Sequence, residues 1–408
     1  MKQAAYCISI GLILFVAISC EFEDSLQQQR EDSAELITTA LDDSMFAGAV
    51  LLVGSSSEIL VQESFGYADR YNADLNEIEQ PVPMTNEHRF DVASLTKVLA
   101  TTYGLMLLDS RGEIDPDDPV HSYIPGFDEG DKEQMTIRHL LTHTSGLMQW
   151  FPSYYVAENP KERQAYTAAQ DLVGTVGDER RYSDYGFMLL GDIIEQITEQ
   201  PLNKYLEDEV YGPMGLHQTE FNPDLESENI VATSHGNPFE KKMVHDDDFG
   251  YTIDIDPAIW DGWRNYTLKG EVNDGNAFHT HDGVAGHAGL FSSADEVYRL
   301  LAVLLNGGFH GDLQLFSQET IYRFLEKDEH GEGLGWMMTE SSLHGKNLPE
   351  DSFGHTGFTG TNIVVSPQSD RIMVLLTNRQ HPGVDEDGNY PNLRNLREEL
   401  SSIWMNAE

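Results

Sequence analysis

The sequence predicts an α/β (α+β) chain in which one antiparallel sheet is assembled from both chain ends and flanked by helices, with a mainly helical domain inserted between. Three observations predict it. Strand-like apolar runs occur early, at 47–53 and 59–65. They return late, at 334–338, 362–366 and 371–377. Between them, residues 126–284 carry helical periodicity and long loops. Strands at both ends with helices between suggest one sheet covered by an insertion.

Taken in order, residues 33–42 read as a helix. The first two strand runs are split by Gly54-Ser55-Ser56-Ser57, a hairpin signal. From Ser94 to Leu108 the chain is apolar on nearly every side, with Leu95, Val98, Leu99, Leu105, Met106 and Leu108, which describes a helix buried all round. Phe187, Leu190, Ile194 and Ile197 mark a further helix, stopped by Pro201. Leu393, Leu396, Leu400 and Trp404 mark a closing amphipathic helix.

Sixty-nine Asp and Glu stand against 25 Lys and Arg, a formal net charge of -44. Such a field repels nucleic acid and anionic membrane surfaces, so neither is an expected partner. Lys2 is the only charge before Cys20, and Ile8 to Ile18 is almost wholly apolar but short for a membrane span, which reads as a secretory signal. Ala17-Ile18-Ser19-Cys20 resembles a bacterial lipoprotein cleavage box, making Cys20 the expected lipidated first residue and a lipid anchor the expected membrane attachment. The plainer reading is an ordinary signal peptide with an incidental Cys. The acidic, Gln-rich stretch that follows reads as a flexible tether over 20–32.

Ser94-Leu95-Thr96-Lys97 is a Ser-x-x-Lys pattern, weak alone and raised by its context. At i and i+3 the two side chains share a helical face, and Ser94 opens the buried helix, where positive potential favours a developing alkoxide. Lys97 is the only charge between Asp91 and Asp109. A buried ammonium is costly unless paired or given work; the structural alternative is a snorkelling lysine with a partner. Tyr182-Ser183-Asp184 precedes a helix, and a Tyr beside a cationic Lys can take a proton from a serine, although Ser183-Asp184 also reads as a helix cap. Phe353-Gly354-His355-Thr356-Gly357 suggests a strand whose glycines permit close backbone approach to a ligand.

In this order the three boxes resemble those of the serine β-lactamase and penicillin-binding-protein superfamily, in particular its class C and esterase-like branch. His139-Leu140-Leu141-Thr142-His143-Thr144-Ser145-Gly146-Leu147 is similar to that branch's most recognisable segment. Tyr211-Gly212-Pro213-Met214-Gly215-Leu216, Gly286-His287-Ala288-Gly289-Leu290-Phe291-Ser292 and Leu376-Thr377-Asn378-Arg379 match further landmarks. The resemblance implies a β-lactamase/transpeptidase-like fold over 33–405, with a sheet subdomain at 33–125 and 285–405 and a helical subdomain at 126–284. It implies Ser94 as nucleophile, Tyr182 with Lys97 as the proton-transfer pair, and the backbone N–H groups of Ser94 and Phe358 as the oxyanion hole. Asp184, His355, Thr356 and Gly357 would hold substrate, and no metal or organic cofactor is needed.

Two positions depart from the pattern: Asp184 stands where Asn is common, and His355 replaces Lys. Asp lacks an amide N–H to donate, and a mostly uncharged His grips a substrate carboxylate weakly. The expected function is therefore an exported serine hydrolase acting on small-molecule or peptide esters or amides. The alternatives are a D-alanyl-D-alanine carboxypeptidase on cell-wall peptides and a non-catalytic binding or sensor protein that keeps the pocket. His279, His281, Asp282 and His287 crowd together, but their spacing fits no standard ligand pattern and no metal site is expected. His143 and His287 are read as scaffolding for active-site loops. Trp150, Phe151, Tyr154 and Tyr155 could wall a cleft, with core the favoured reading.

Overall fold

The computed structural model describes residues 23–251 and 253–406. The expected signal sequence and cleavage box, with Cys20, lie outside them. Residues 23–42 form one helix (α1), which corrects the tether from residue 23 onward. Its physical cause is local and tertiary together. Gln27 and Gln28 donate one turn on to Glu31 and Asp32 at 2.7 and 2.8 Å, the i,i+4 geometry that supports a helix. Gln29 Nε2 reaches the Ile403 carbonyl (2.9 Å), and the Trp404 indole donates to Ser33 Oγ (2.8 Å), so the segment docks on the far end of the chain.

The main sheet has six strands: β1 (Gly48–Gly54), β2 (Ile59–Tyr71), β3 (Glu77–Pro83), β4 (Phe353–Thr356), β5 (Asn362–Ser366) and β6 (Arg371–Thr377). Their order is β4-β5-β6-β1-β2-β3, and every pairing is antiparallel. The two chain ends meet at β1 and β6, with Leu51 opposite Leu375. Every residue of β1 is buried, because both sheet faces are covered. Alternate residues serve alternate faces. Ala49, Leu51 and Val53 pack against α1 and the last helix, α5 (Arg394–Trp404), through Ile37, Leu400 and Trp404. Val50 and Leu52 face the larger core with α2 (Tyr103–Ser110) and α4 (Ala294–Leu305).

The expected runs at 362–366 and 371–377 are strands as read, while β2 is longer than expected and pairs with a third strand, β3, that the apolar pattern did not signal. Residues 334–338 are not a strand. Only Met337 bridges Gly354, and Gly335, at φ +83°, turns the chain there. The helical insertion contributes α3 (Asp184–Thr198) and also small sheets, among them Ala232–His235 paired with Thr267–Lys269.

Candidate active site

The segment around Ser94 is bent before it becomes a regular helix. Ala93 has φ +49°, a left-handed conformation that costs energy for a residue with a Cβ. Asp91 holds it there, accepting from the Ala93 N–H at 2.8 Å. A 3₁₀ turn (Ala93–Leu95) and a π turn (Lys97–Thr102) then lead into α2. Ala93, Leu95 and Lys97 are buried, whereas Ser94 is only partly so and lines a cavity of about 270 Å³.

Lys97 is fully buried, and its ammonium meets three oxygens: Ser94 Oγ at 3.0 Å, the His287 carbonyl at 3.2 Å and Asp184 Oδ1 at 2.8 Å. An ammonium has three N–H donors, and three acceptors surround this one. Burial pulls its pKa down, but the Asp184 carboxylate and Tyr182 outweigh that and hold it above the ordinary lysine value. Lys97 is thus a charged donor to Ser94. Tyr182 lies beside both Ser94 and Lys97, with the lysine nitrogen 5.0 Å from its ring centroid. Burial raises the phenol's pKa, and Lys97 opposes that rise.

Two neutral imidazoles flank Tyr182. The His143 ring lies 4.4 Å from it, with Nδ1 accepting from the Ser183 N–H at 3.1 Å. Burial pushes His143 well below its usual pKa. His355 lies 6.1 Å from the tyrosine ring on the other side and is itself buried. Its Nδ1–H donates to the Thr356 carbonyl (2.7 Å), and burial, then Lys97, lower its pKa to about 3. His355 is therefore an uncharged packing partner of Tyr182 at neutral pH. Ser183 caps α3, accepting from Gly186 N–H at 3.3 Å and donating to the Met148 carbonyl at 2.6 Å. Asp184, one residue on, still reaches Lys97.

The third box is clamped to the nucleophile segment. Thr359 and Thr361 hydroxyls donate to the Asp91 and Val92 carbonyls at 2.8 and 2.9 Å. A Cβ at Gly357 would fall 1.9 Å from Thr361 Oγ1 and 2.7 Å from the Val92 carbonyl, so only glycine fits this approach. Phe358 lines the cavity, and its carbonyl is turned outward to Arg379 and Gln380. No acceptor among the described residues takes its N–H, which leaves it free for an oxyanion.

The structure thus gathers Ser94, Lys97, Tyr182, Asp184 and Phe358 around one cavity, with His355, Thr356 and Gly357 packed behind. Sequence reasoning missed the opposite wall, formed by Phe239, Glu240, Tyr251, Asp274 and Tyr390. Glu240 accepts from the Tyr154 hydroxyl at 2.6 Å, and Asp274 pairs with His287 Nε2 at 2.9 Å. Trp150 belongs to the cavity, stacked 6.2 Å from Tyr251. Tyr154 is buried, and its ring packs 4.5 Å from Trp260, so the aromatic run divides between cleft and core. His279 packs against Tyr154 and Trp260, and His281 is buried 6.5 Å from the His287 ring.

A family model described as Beta-lactamase matches residues 34–398. An Escherichia coli (strain K12) protein named "Putative D-alanyl-D-alanine carboxypeptidase" is 34% identical over 365 residues, covering 84% of this chain and 81% of that one. The "N-acetylmuramyl-L-alanine amidase" of Bacillus subtilis (strain 168) is also 34% identical, over 371 residues, covering 85% and 80%. Among solved structures, "EstCE1, a hydrolase with promiscuous acyltransferase activity" superposes with a TM-score of 0.67 at 21% identity, covering 94% of this chain and 99% of that one.

Proposed function

The chain belongs to the beta-lactamase family of serine hydrolases, and from that premise we propose that it is an exported enzyme cleaving ester or amide bonds through an acyl-enzyme on Ser94. The observation that carries the reading is the buried Lys97 ammonium, 3.0 Å from Ser94 Oγ and 5.0 Å from the Tyr182 ring centroid. With its donors directed at three oxygens, Lys97 is in no position to accept the serine proton. Tyr182 is the base that remains, in its ionised form, with Lys97 as the adjacent cation that stabilises the phenolate.

Ser94 Oγ attacks the carbonyl as its proton passes to Tyr182, and the N–H groups of Ser94 and Phe358 take the oxyanion. Tyr182 returns the proton to the leaving alkoxide or amine. Water then attacks the acyl-enzyme with Tyr182 again as base, restoring the serine. Export rests on the N-terminal apolar stretch ending at Cys20, which also supports a lipid-anchored place in the cell envelope.

A second reading, a D-alanyl-D-alanine carboxypeptidase, is favoured by the E. coli relative. A fluorophosphonate and a fluorescent penicillin separate the two. We expect fluorophosphonate labelling of the wild type and none of Ser94→Ala. Labelling by neither probe would sink the hydrolase reading, and penicillin labelling with release of D-Ala from dipeptides would favour the peptidase.

A further inference from the structure

Asp184 occupies a position whose chemistry decides what the cavity accepts. Its side chain is 19% exposed and lines the cavity. Oδ1 is committed to Lys97 at 2.8 Å. Among the described residues, Lys97 is the only side chain that hydrogen-bonds the carboxylate, which leaves it able to accept from a bound molecule. An ionised carboxylate accepts only; it has nothing to offer a carbonyl or another carboxylate.

Beyond Lys97, the one basic side chain among the described residues that line the cavity is the His287 imidazole, which Asp274 already engages at 2.9 Å. No lysine or arginine is among the described residues that line it. Two guanidiniums lie behind the lining and are engaged there: Arg379 bonds the Phe358 carbonyl and the Pro391 carbonyl (3.3 Å), and Arg264 bonds Asn237 Oδ1 (3.1 Å) and the Val272 and Asn273 carbonyls (both 2.7 Å). His355 is buried behind Tyr182. Trp150, Tyr251 and Phe239 line the same cavity, and aromatic ring faces attract cations and repel anions. The whole chain, at -44, draws cations toward the site and turns anions away.

We propose that Asp184 is the specificity-determining residue of this site, and that it selects acyl substrates carrying a protonated amine over those carrying a carboxylate. The inference rests on the hydrolase reading and adds the substrate class. One carboxylate then has two jobs: one oxygen fixes Lys97 against Ser94, and the carboxylate also meets the ammonium of the substrate.

Matched 4-nitrophenyl esters of 4-(aminomethyl)benzoic, 4-methylbenzoic and 4-(carboxymethyl)benzoic acids test it, each rate divided by its uncatalysed rate. In the wild type, kcat/KM should fall in that order, with amine over carboxylate by at least about tenfold, since like-charge juxtaposition is strongly disfavoured. In Asp184→Asn that ratio should collapse toward one, whatever happens to the absolute rates. If Asp184→Asn slows all three esters equally, Asp184 only positions Lys97 and the inference is overturned. A wild type that prefers the carboxylate ester overturns it as well. Should no ester turn over, 4-nitrophenyl methylphosphonates bearing the same three groups read acylation of Ser94 alone. The same rate order supports the inference, and the reverse order or equal rates reject it. Absence of any Ser94 adduct rejects the hydrolase reading and this inference with it.

Discussion

Two buried ion pairs sit on the same helix and do different work. At the start of α3, Asp184 pairs with Lys97; two turns later, Asp192 pairs with Arg163. Both cations are fully buried and both carboxylates nearly so, at 19% and 11% exposed. Arg163 Nη2 gives bonds of 2.8 and 2.6 Å to the two oxygens of Asp192, and Gln164 adds a third at 3.2 Å. That pair is closed on itself. Lys97 divides its donors among a carboxylate, a carbonyl and a serine hydroxyl. The difference teaches that a buried ion pair is structural when the cation's bonds all go to its partner carboxylate, and chemical when the cation also points a donor at a reactive group in a cavity.

Removing each cation should therefore break different properties. Lys97→Ala is expected to lower kcat/KM by about 10³-fold or more, since the serine loses both its hydrogen-bond donor and the positive field on Tyr182. Its melting temperature should change little, because Asp184 can rehydrate from the cavity. Esterase assays beside thermal melts check both, and an active Lys97→Ala enzyme would remove the lysine from the chemistry. Arg163→Ala should do the reverse. It strands Asp192 in the core, a loss of about 3–5 kcal/mol of stability, while kcat per folded molecule stays near wild type. A collapse of kcat in the folded fraction would erase the contrast.

The active pair also has a pH signature that the closed pair lacks. Burial holds the Tyr182 phenol above its ordinary value of 10, and Lys97 remains charged above that of a free lysine. The reactive form, phenolate beside ammonium, is scarce at neutral pH and grows with base. Between pH 7 and 9, kcat/KM and the rate of fluorophosphonate labelling should each rise about tenfold per unit. A flat profile over that range would mean that Tyr182 is not the base.

How much of this could be read from the sequence follows the same division between local and assembled features. β1, β5 and β6 were legible because each is a continuous apolar run, and a strand buried on both faces leaves that trace. Residues 23–32 misled because their polar composition resembles a tether, while the docking surface that orders them is on α5, more than 370 residues away. Ser94, Lys97 and Tyr182 were legible because each sits in a local motif. Asp184 was read as part of a helix cap and as a substrate-holding residue that lacks an amide donor; its bond to Lys97 needs two segments 87 residues apart to meet. Glu240, Asp274 and Tyr390 left no signal, since they come from a short helix, the cap of another helix and a C-terminal loop, and share no spacing.

The wall they form carries the smallest expected effect, one of stability against pH. Glu240 accepts from Tyr154 and from the Gly275 N–H at 3.2 Å, and a Cβ at Gly275 would come within 2.2 Å of the carboxylate. Burial first, and Asp274 second, push its pKa up to about 7 from 4.5. The folded protein thus binds this proton more tightly than the unfolded chain does. The stability it contributes is fully present below pH 4.5 and lost as pH rises through 7. Asp91, raised to about 6 by burial, acts the same way over a lower window. Asp274 acts oppositely: His287 outweighs its burial and holds it below the usual carboxylate range, so its contribution disappears only in stronger acid. Melting temperature should therefore decline from pH 5 to pH 8, and Glu240→Gln, which keeps the shape without the charge, should make that decline shallower above pH 6, where Asp91 is more than half ionised. Parallel curves for the two proteins would show that Glu240 titrates normally, and that the second wall of the cavity is less enclosed than the first.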